Sequence, residues 1–233
     1  MKKPVAARVV VIAASKGGSG KTTLAAALAA RAADEGSVVM IDGDAQRSLA
    51  RWWQLRGSPD NPRLVEARLS LAATVERLRR EPVQYVFIDT PPALLKDGIE
   101  PAVAVADLVL IPVQTSPFDL EAVEPVVALA KKAGRPFAFV LNRVEPKSKL
   151  TEGAEEFLSN DGRVLATRVS NRESYRAALI DGLSGAEGRD GKARVVGNEH
   201  PTENLSSSSP APSRSTHTSA TWSSSRSAVQ ARS

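Results

Sequence analysis

Through the first 185 residues, short apolar runs rich in β-branched residues alternate with longer stretches whose apolar residues recur every three or four positions. Unbroken apolar runs fit strands covered on both faces, and the three-to-four spacing fits helices that bury one side. Strands are therefore expected at 8–14, 37–42, 85–89, 107–112 and 136–141, with a further short one at 163–166. Helices are expected at 21–33, 70–80, 120–132, 151–158 and 173–182, with another after the second strand that carries Trp52 and Trp53, both placed in core packing. This alternation predicts a doubly wound α/β domain, a mostly parallel sheet with helices on both faces, whose ligands gather at the carboxyl ends of the strands.

The periodicity stops near Gly185, and Ser206-Ser-Ser-Ser-Pro-Ala-Pro212 opens a stretch of serine, threonine and arginine with few core-forming residues. A domain over 1–185 followed by a disordered C-terminal tail over 186–233 is the expected division.

Between the first strand and the first helix stands Ser15-Lys-Gly-Gly-Ser-Gly-Lys-Thr-Thr23. Glycines let consecutive amides turn toward a bound anion, and the helix N-terminus adds partial positive charge. Gly17, Gly18, Ser19 and Gly20 thus form a candidate cradle for a polyphosphate such as that of ATP. In this loop Lys21 reaches the β- and γ-phosphates, the Thr22 hydroxyl binds Mg2+ and Thr23 holds the α-phosphate. Ser15 stands where glycine is usual, and an extra lysine, Lys16, follows it. Taken alone, that lysine could simply add charge to its own site.

Three carboxylates fall at adjoining strand ends: Asp42 and Asp44 after the second strand, and Asp89 at the end of the third. Asp42 and Asp44 can meet one Mg2+ ion or its waters, and Asp89 in Val86-Phe-Ile-Asp-Thr-Pro-Pro92 has the form of a Walker B carboxylate that holds Mg2+ through water. Phosphoryl transfer gains mainly from positioning and charge neutralisation, which such a set supplies. A solvated turn and a helix cap are the plainer alternatives for the aspartates.

Lys-Gly-Gly-x-Gly-Lys-Thr, Asp42-Gly-Asp44-Ala-Gln46, the Asp89 segment and Leu141-Asn-Arg143 together resemble the deviant Walker A P-loop NTPases of the ParA/MinD superfamily, over about residues 9–183. The resemblance implies that Lys16 is the signature lysine that crosses a dimer interface to the partner's nucleotide. It also implies that Asp44 orients or activates the attacking water, although Ala45 replaces the family's usual proline, and that Asn142 contacts the adenine. The segment Ile111-Pro-Val-Gln-Thr-Ser-Pro117 is similar to the family's loop beside the base and the dimer contact.

Within the superfamily, the short start resembles small ParA-type proteins of plasmid or chromosome partition. That likeness implies an ATPase which dimerises with ATP and Mg2+, binds DNA without sequence preference in that state, and is stimulated by a ParB-like centromere-binding partner. Its place would be the cytoplasm, on the nucleoid, with Arg172 and Arg176 as candidate phosphate contacts. A MinD-like cargo-positioning ATPase at a membrane and a nucleotide-gated scaffold are the competing readings.

Composition narrows these. A net charge of +5 permits a polyanionic partner, but much of the excess lies in tail arginines. The absence of cysteine excludes a disulfide framework, a thiolate-ligated iron–sulfur cluster and a cysteine nucleophile. No apolar stretch approaches membrane-spanning length and residues 206–233 carry no amphipathic apolar face, so no membrane partner is expected. The family usually continues into a last amphipathic helix, where this chain has its serine-rich tail; a frameshifted or replaced terminus is the expectation drawn from that.

Overall fold

The computed structural model describes residues 6–67, 70–91, 99–145 and 148–187. Pro92 and all but the first two residues of the expected tail lie outside the described residues.

The chain begins with β1 (Arg8–Ile12), α1 (Lys21–Ala33), β2 (Val38–Asp42) and α2 (Ser48–Leu55). It continues through β3 (Arg63–Leu64), α3 (Leu71–Leu78), β4 (Tyr85–Asp89), α4 (Glu100–Val105) and β5 (Leu108–Val113). The rest is α5 (Pro117–Glu121), α6 (Glu124–Lys132), β6 (Phe137–Val144), α7 (Lys149–Ser159), β7 (Arg163–Val164), β8 (Val169–Ser170) and α8 (Glu173–Ile180).

The strands form one sheet in the order β3-β2-β4-β1-β5-β6-β7, with β8 also pairing β6. Every described pairing is parallel. Central strands buried on both faces must be apolar throughout, and Val9, Val10, Val11 and Ile12 of β1 are all at most 1% exposed. From β1 the chain winds outward to β2 on one side and later to β5 and β6 on the other, which makes the carboxyl end of β1 the topological switch point. Ala25, Ala26, Ala29 and Ala30 form the buried side of α1, and their small side chains let the helix lie close over β4 and β2.

The opposite end of the sheet is fastened by Arg79. Its guanidinium donates to the carbonyls of Ala7 and Val105, both at 3.3 Å, and to Asp107 Oδ1 at 2.8 Å. Asp107 Oδ2 in turn accepts the Val9 amide at 2.8 Å. The roots of β1 and β5 are thereby tied to α3, well away from the loop that follows β1.

Two expectations change. The helix expected over 120–132 is two helices, because Pro125 lies in the first turn of α6 and has no N–H to donate into the preceding helix's hydrogen-bond ladder. Ser116 starts α5 by accepting the Asp119 amide. The short elements β3, α4 and β8 were not expected, since two to six residues carry too little periodicity to register.

Candidate functional site

Residues 13–20 leave β1 and turn over its end before α1 begins. Gly18 and Gly20 have φ of 77° and 94°, left-handed conformations in which a side chain would be strained. Lys21 opens α1 with 7% exposure, and its ammonium donates to the Lys16 carbonyl at 3.4 Å. Burial lowers its pKa, while Asp89 and then Asp44 pull it back up.

The Thr22 hydroxyl donates to Asp89 Oδ2 at 2.6 Å. Asp89 is fully buried, and its other oxygen, Oδ1, has no hydrogen-bond partner among the described residues. Burial pushes its pKa up to about 7, against the opposing effect of the Thr22 donor. An ionised carboxylate oxygen left dry and unmatched is costly, so this pair suits a divalent cation that would compensate it. Among the described residues no cluster of three or more acidic or imidazole side chains exists to hold a metal. Mg2+ bound with a nucleotide needs no such cluster, because phosphates and water supply most of its ligands.

Asp42 lies level with Asp89 across the β2–β4 pair. Its Oδ1 accepts the Asp44 amide at 3.1 Å and its Oδ2 the Ala50 amide at 2.8 Å, so both oxygens hold the backbone that leads into α2. Gly43 between the aspartates sits against the Asp89 backbone, where an added Cβ would come within 2.9 Å of the Asp89 carbonyl oxygen. Asp44 is half-buried, accepts the Gln46 amide at 2.9 Å and faces the crevice above the loop.

That crevice, of about 560 Å3, is lined on one side by Gly17, Gly18 and Gly20 to Thr23, and across from them by α2 residues and Leu179 and Ile180 of α8. Arg143 also lines it, in a left-handed conformation with φ of 54°, whereas Asn142 does not. Asn142 is 7% exposed and donates to the Ser19 carbonyl at 2.6 Å. The residue expected at the adenine is thus turned to the phosphate loop. Thr23 is half-buried in the crevice wall. The β5–α5 connection closes over the loop from outside: Gln114 donates to the Gly18 carbonyl at 3.1 Å, and Lys16 donates to the Phe118 carbonyl at 2.6 Å.

Trp52 is 3% exposed and donates to the Leu183 carbonyl at 3.2 Å, while Arg56 covers its ring at 5.4 Å. Arg56 also holds the Gly182 carbonyl and both oxygens of Glu187, so α2 is clamped to the segment after α8. Trp53 is half-buried, and its indole donates to the carbonyls of Pro59 and Pro62. Arg172 precedes α8 and Arg176 lies exposed on it. Sequence reasoning passed over Asp119 and Arg143. The Ser116-x-x-Asp119 spacing, a capping box, was the signal for the first, and nothing in the local pattern marks the second.

Among the described residues no helix is long and apolar enough to cross a membrane. The model of the CobQ/CobB/MinD/ParA nucleotide binding domain matches residues 10–184. The chain is 30% identical over 174 residues to the maintenance of carboxysome distribution protein A of Halothiobacillus neapolitanus, covering 70% of this chain and 81% of that protein. It is 32% identical over 180 residues to the protein of the same description from Gloeobacter kilaueensis, covering 72% and 78%. Its fold is like that of a single-residue variant of Cyanothece McdA in complex with ATP, with a TM-score of 0.62 at 21% identity over 78% of this chain and 90% of that one.

Proposed function

The chain belongs to the CobQ/CobB/MinD/ParA nucleotide-binding family, and on that premise we propose that it is an ATPase that dimerises on ATP and uses the cycle to position a cargo inside the cell. The observation that carries this is the Thr22–Asp89 pair, with its unmatched buried oxygen, beneath a glycine loop that also presents Lys21. In this reading the amides of Gly17, Gly18, Ser19 and Gly20 receive the polyphosphate, Lys21 neutralises its β- and γ-oxygens, and Thr23 meets the α-phosphate. Thr22 and Asp89 hold Mg2+, which when bound neutralises charge on the β- and γ-phosphates. Asp42 acts by ordering Asp44 and the start of α2, and can meet the ion's waters through its remaining lone pairs. Asp44 orients the attacking water, and Lys16 reaches the nucleotide of a second copy.

Cargo positioning is the broader form of the plasmid or chromosome partition expected from the sequence. Both curated relatives are described by the distribution of carboxysomes, which favours a large protein body or nucleoprotein as cargo over a replicon alone. Nonspecific DNA as the track, a stimulating partner in the role of a ParB-like protein, and a nucleoid location belong to the same reading. The net charge of +5 supports a polyanionic surface as the track.

Sedimentation of the full chain with Mg-ATP, Mg-ADP and no nucleotide, with and without duplex DNA at low and moderate salt, tests this. Dimers and salt-sensitive DNA binding only with ATP are expected. An ATP dimer that ignores DNA but binds anionic liposomes would move the site of action to a membrane, and no response to nucleotide would overturn the proposal.

A further inference from the structure

Asn142 stands at the end of β6, where the pairing with β8 shifts register between Asn142 and Val144. Such a bulge re-aims neighbouring side chains. Here Arg143, in the left-handed conformation, is exposed toward the crevice, while Asn142 is buried against the phosphate loop. The orientation of its amide is determined from both ends. Oδ1 accepts the Arg143 amide at 2.9 Å, which leaves Nδ2, a donor only, on the Ser19 carbonyl.

The contact is tight. A Cβ on Gly20 would fall 2.1 Å from Asn142 Nδ2, so glycine at position 20 and the asparagine amide occupy one fitted space. The trans peptide plane between Ser19 and Gly20 points its carbonyl and its N–H in opposite directions. A donor that holds the carbonyl outward therefore aims the Gly20 N–H inward, to the place where a phosphate oxygen is received. Gln114 treats the Gly18 carbonyl in the same way from the β5–α5 side. Side-chain donors thus hold the carbonyls at positions 18 and 19.

We infer that Asn142 is a positioning residue: its amide holds the Ser19 carbonyl and so presets the anion-binding amides of the phosphate loop. The inference rests on the proposal that this loop binds the phosphates of ATP. This role is additional to the adenine contact implied by the family likeness, since a brace acts on the triphosphate whatever base it carries.

Calorimetric titration of the full chain with ATP, GTP and inorganic tripolyphosphate, each with Mg2+, separates the two roles in the parent protein and in Asn142→Ala and Asn142→Asp. Asn142→Asp is isosteric and keeps the acceptor for the Arg143 amide, but when ionised sets an acceptor against the Ser19 carbonyl, so the shape is kept while the brace is lost. Weakening of tripolyphosphate by about tenfold in Asn142→Ala, and more in Asn142→Asp, is expected, with ATP and GTP weakened at least as much. Unchanged tripolyphosphate affinity would overturn the inference and leave Asn142 with the base contact alone. A parent protein that binds neither ATP nor tripolyphosphate would overturn the nucleotide reading beneath it.

Discussion

The Lys16 ammonium lies 3.4 Å from the Asp119 carboxylate and donates to the Phe118 carbonyl at 2.6 Å, so the lysine proposed to serve a second copy is held by the first turn of α5 in its own chain. Asp119 is itself steadied by the Ser116 hydroxyl. Reaching across an interface requires that this contact break.

Asp119→Ala should therefore ease dimerisation. The pair is partly exposed, with side chains 41% and 26% accessible, so its contribution is below about 1 kcal/mol and the gain no more than about fivefold in the ATP-dependent association constant. Sedimentation equilibrium across a concentration series measures it. An association constant equal to that of the parent would mean that the contact restrains nothing.

Asp89 makes stability depend on pH. Its carboxyl ionises near 3.8 when unfolded and near 7 in the folded chain, so between those values the folded state holds the extra proton and stability falls as pH rises. Above about pH 7 the contribution levels off. The nucleotide-free protein should lose on the order of 2 to 4 kcal/mol across that window from this residue, and Asp89→Asn should flatten the loss while abolishing Mg2+-dependent ATP binding. Denaturant titrations from pH 4 to pH 8 decide it, and an unchanged slope in the variant would remove Asp89 as the cause.

Asp44→Ala should lower ATP turnover by at least about a hundredfold while leaving ATP binding within severalfold, because Asp44 is proposed to act on the attacking water and not on the bound ground state. The dimer should persist with ATP. Phosphate release measured beside sedimentation distinguishes this from a loss of affinity, which would place Asp44 among the binding groups.

Trp52 joins α2, the helix that follows Asp42 and Asp44, to the segment after α8. Trp52→Ala removes a buried ring and its bond to Leu183, at a cost of about 3 to 5 kcal/mol, and should lower the melting temperature by about 10 °C. Glu187→Gln, at the exposed end of the same clamp, should cost no more than about 1 kcal/mol. Equal melting of Trp52→Ala and the parent would show that the clamp contributes nothing to stability.

The long central strands and the phosphate loop were legible because their signals are local: unbroken apolar runs, glycines, and a lysine and threonine at the start of a helix. Asp89 was legible for the same reason. The split at Pro125 was also written in the sequence, but the apolar spacing on either side of it masked the break. What was not legible depends on contacts far along the chain. Asp119 meets Lys16 from 103 residues away, and Asn142 meets Ser19 from 123. Asp42 shows the same limit in another form: its place at the strand end could be read, but not that two backbone amides would occupy its oxygens.

The level pairing of Asp42 with Asp89, and of Asp89 with Ile12, gives the site a parity. Residues level across parallel strands point to the same face, and a slip of one residue reverses it. If β2 paired one step out of place, Ile41 or Gly43 would stand beside Asp89 and the Asp42 carboxylate would turn to the other layer of helices. The carboxylate arrangement has no half-assembled form: three segments of chain either count to the same row or the proposed magnesium face does not exist. An insertion or deletion of one residue within β1, β2 or β4 would accordingly silence the protein even where every residue named above is still present.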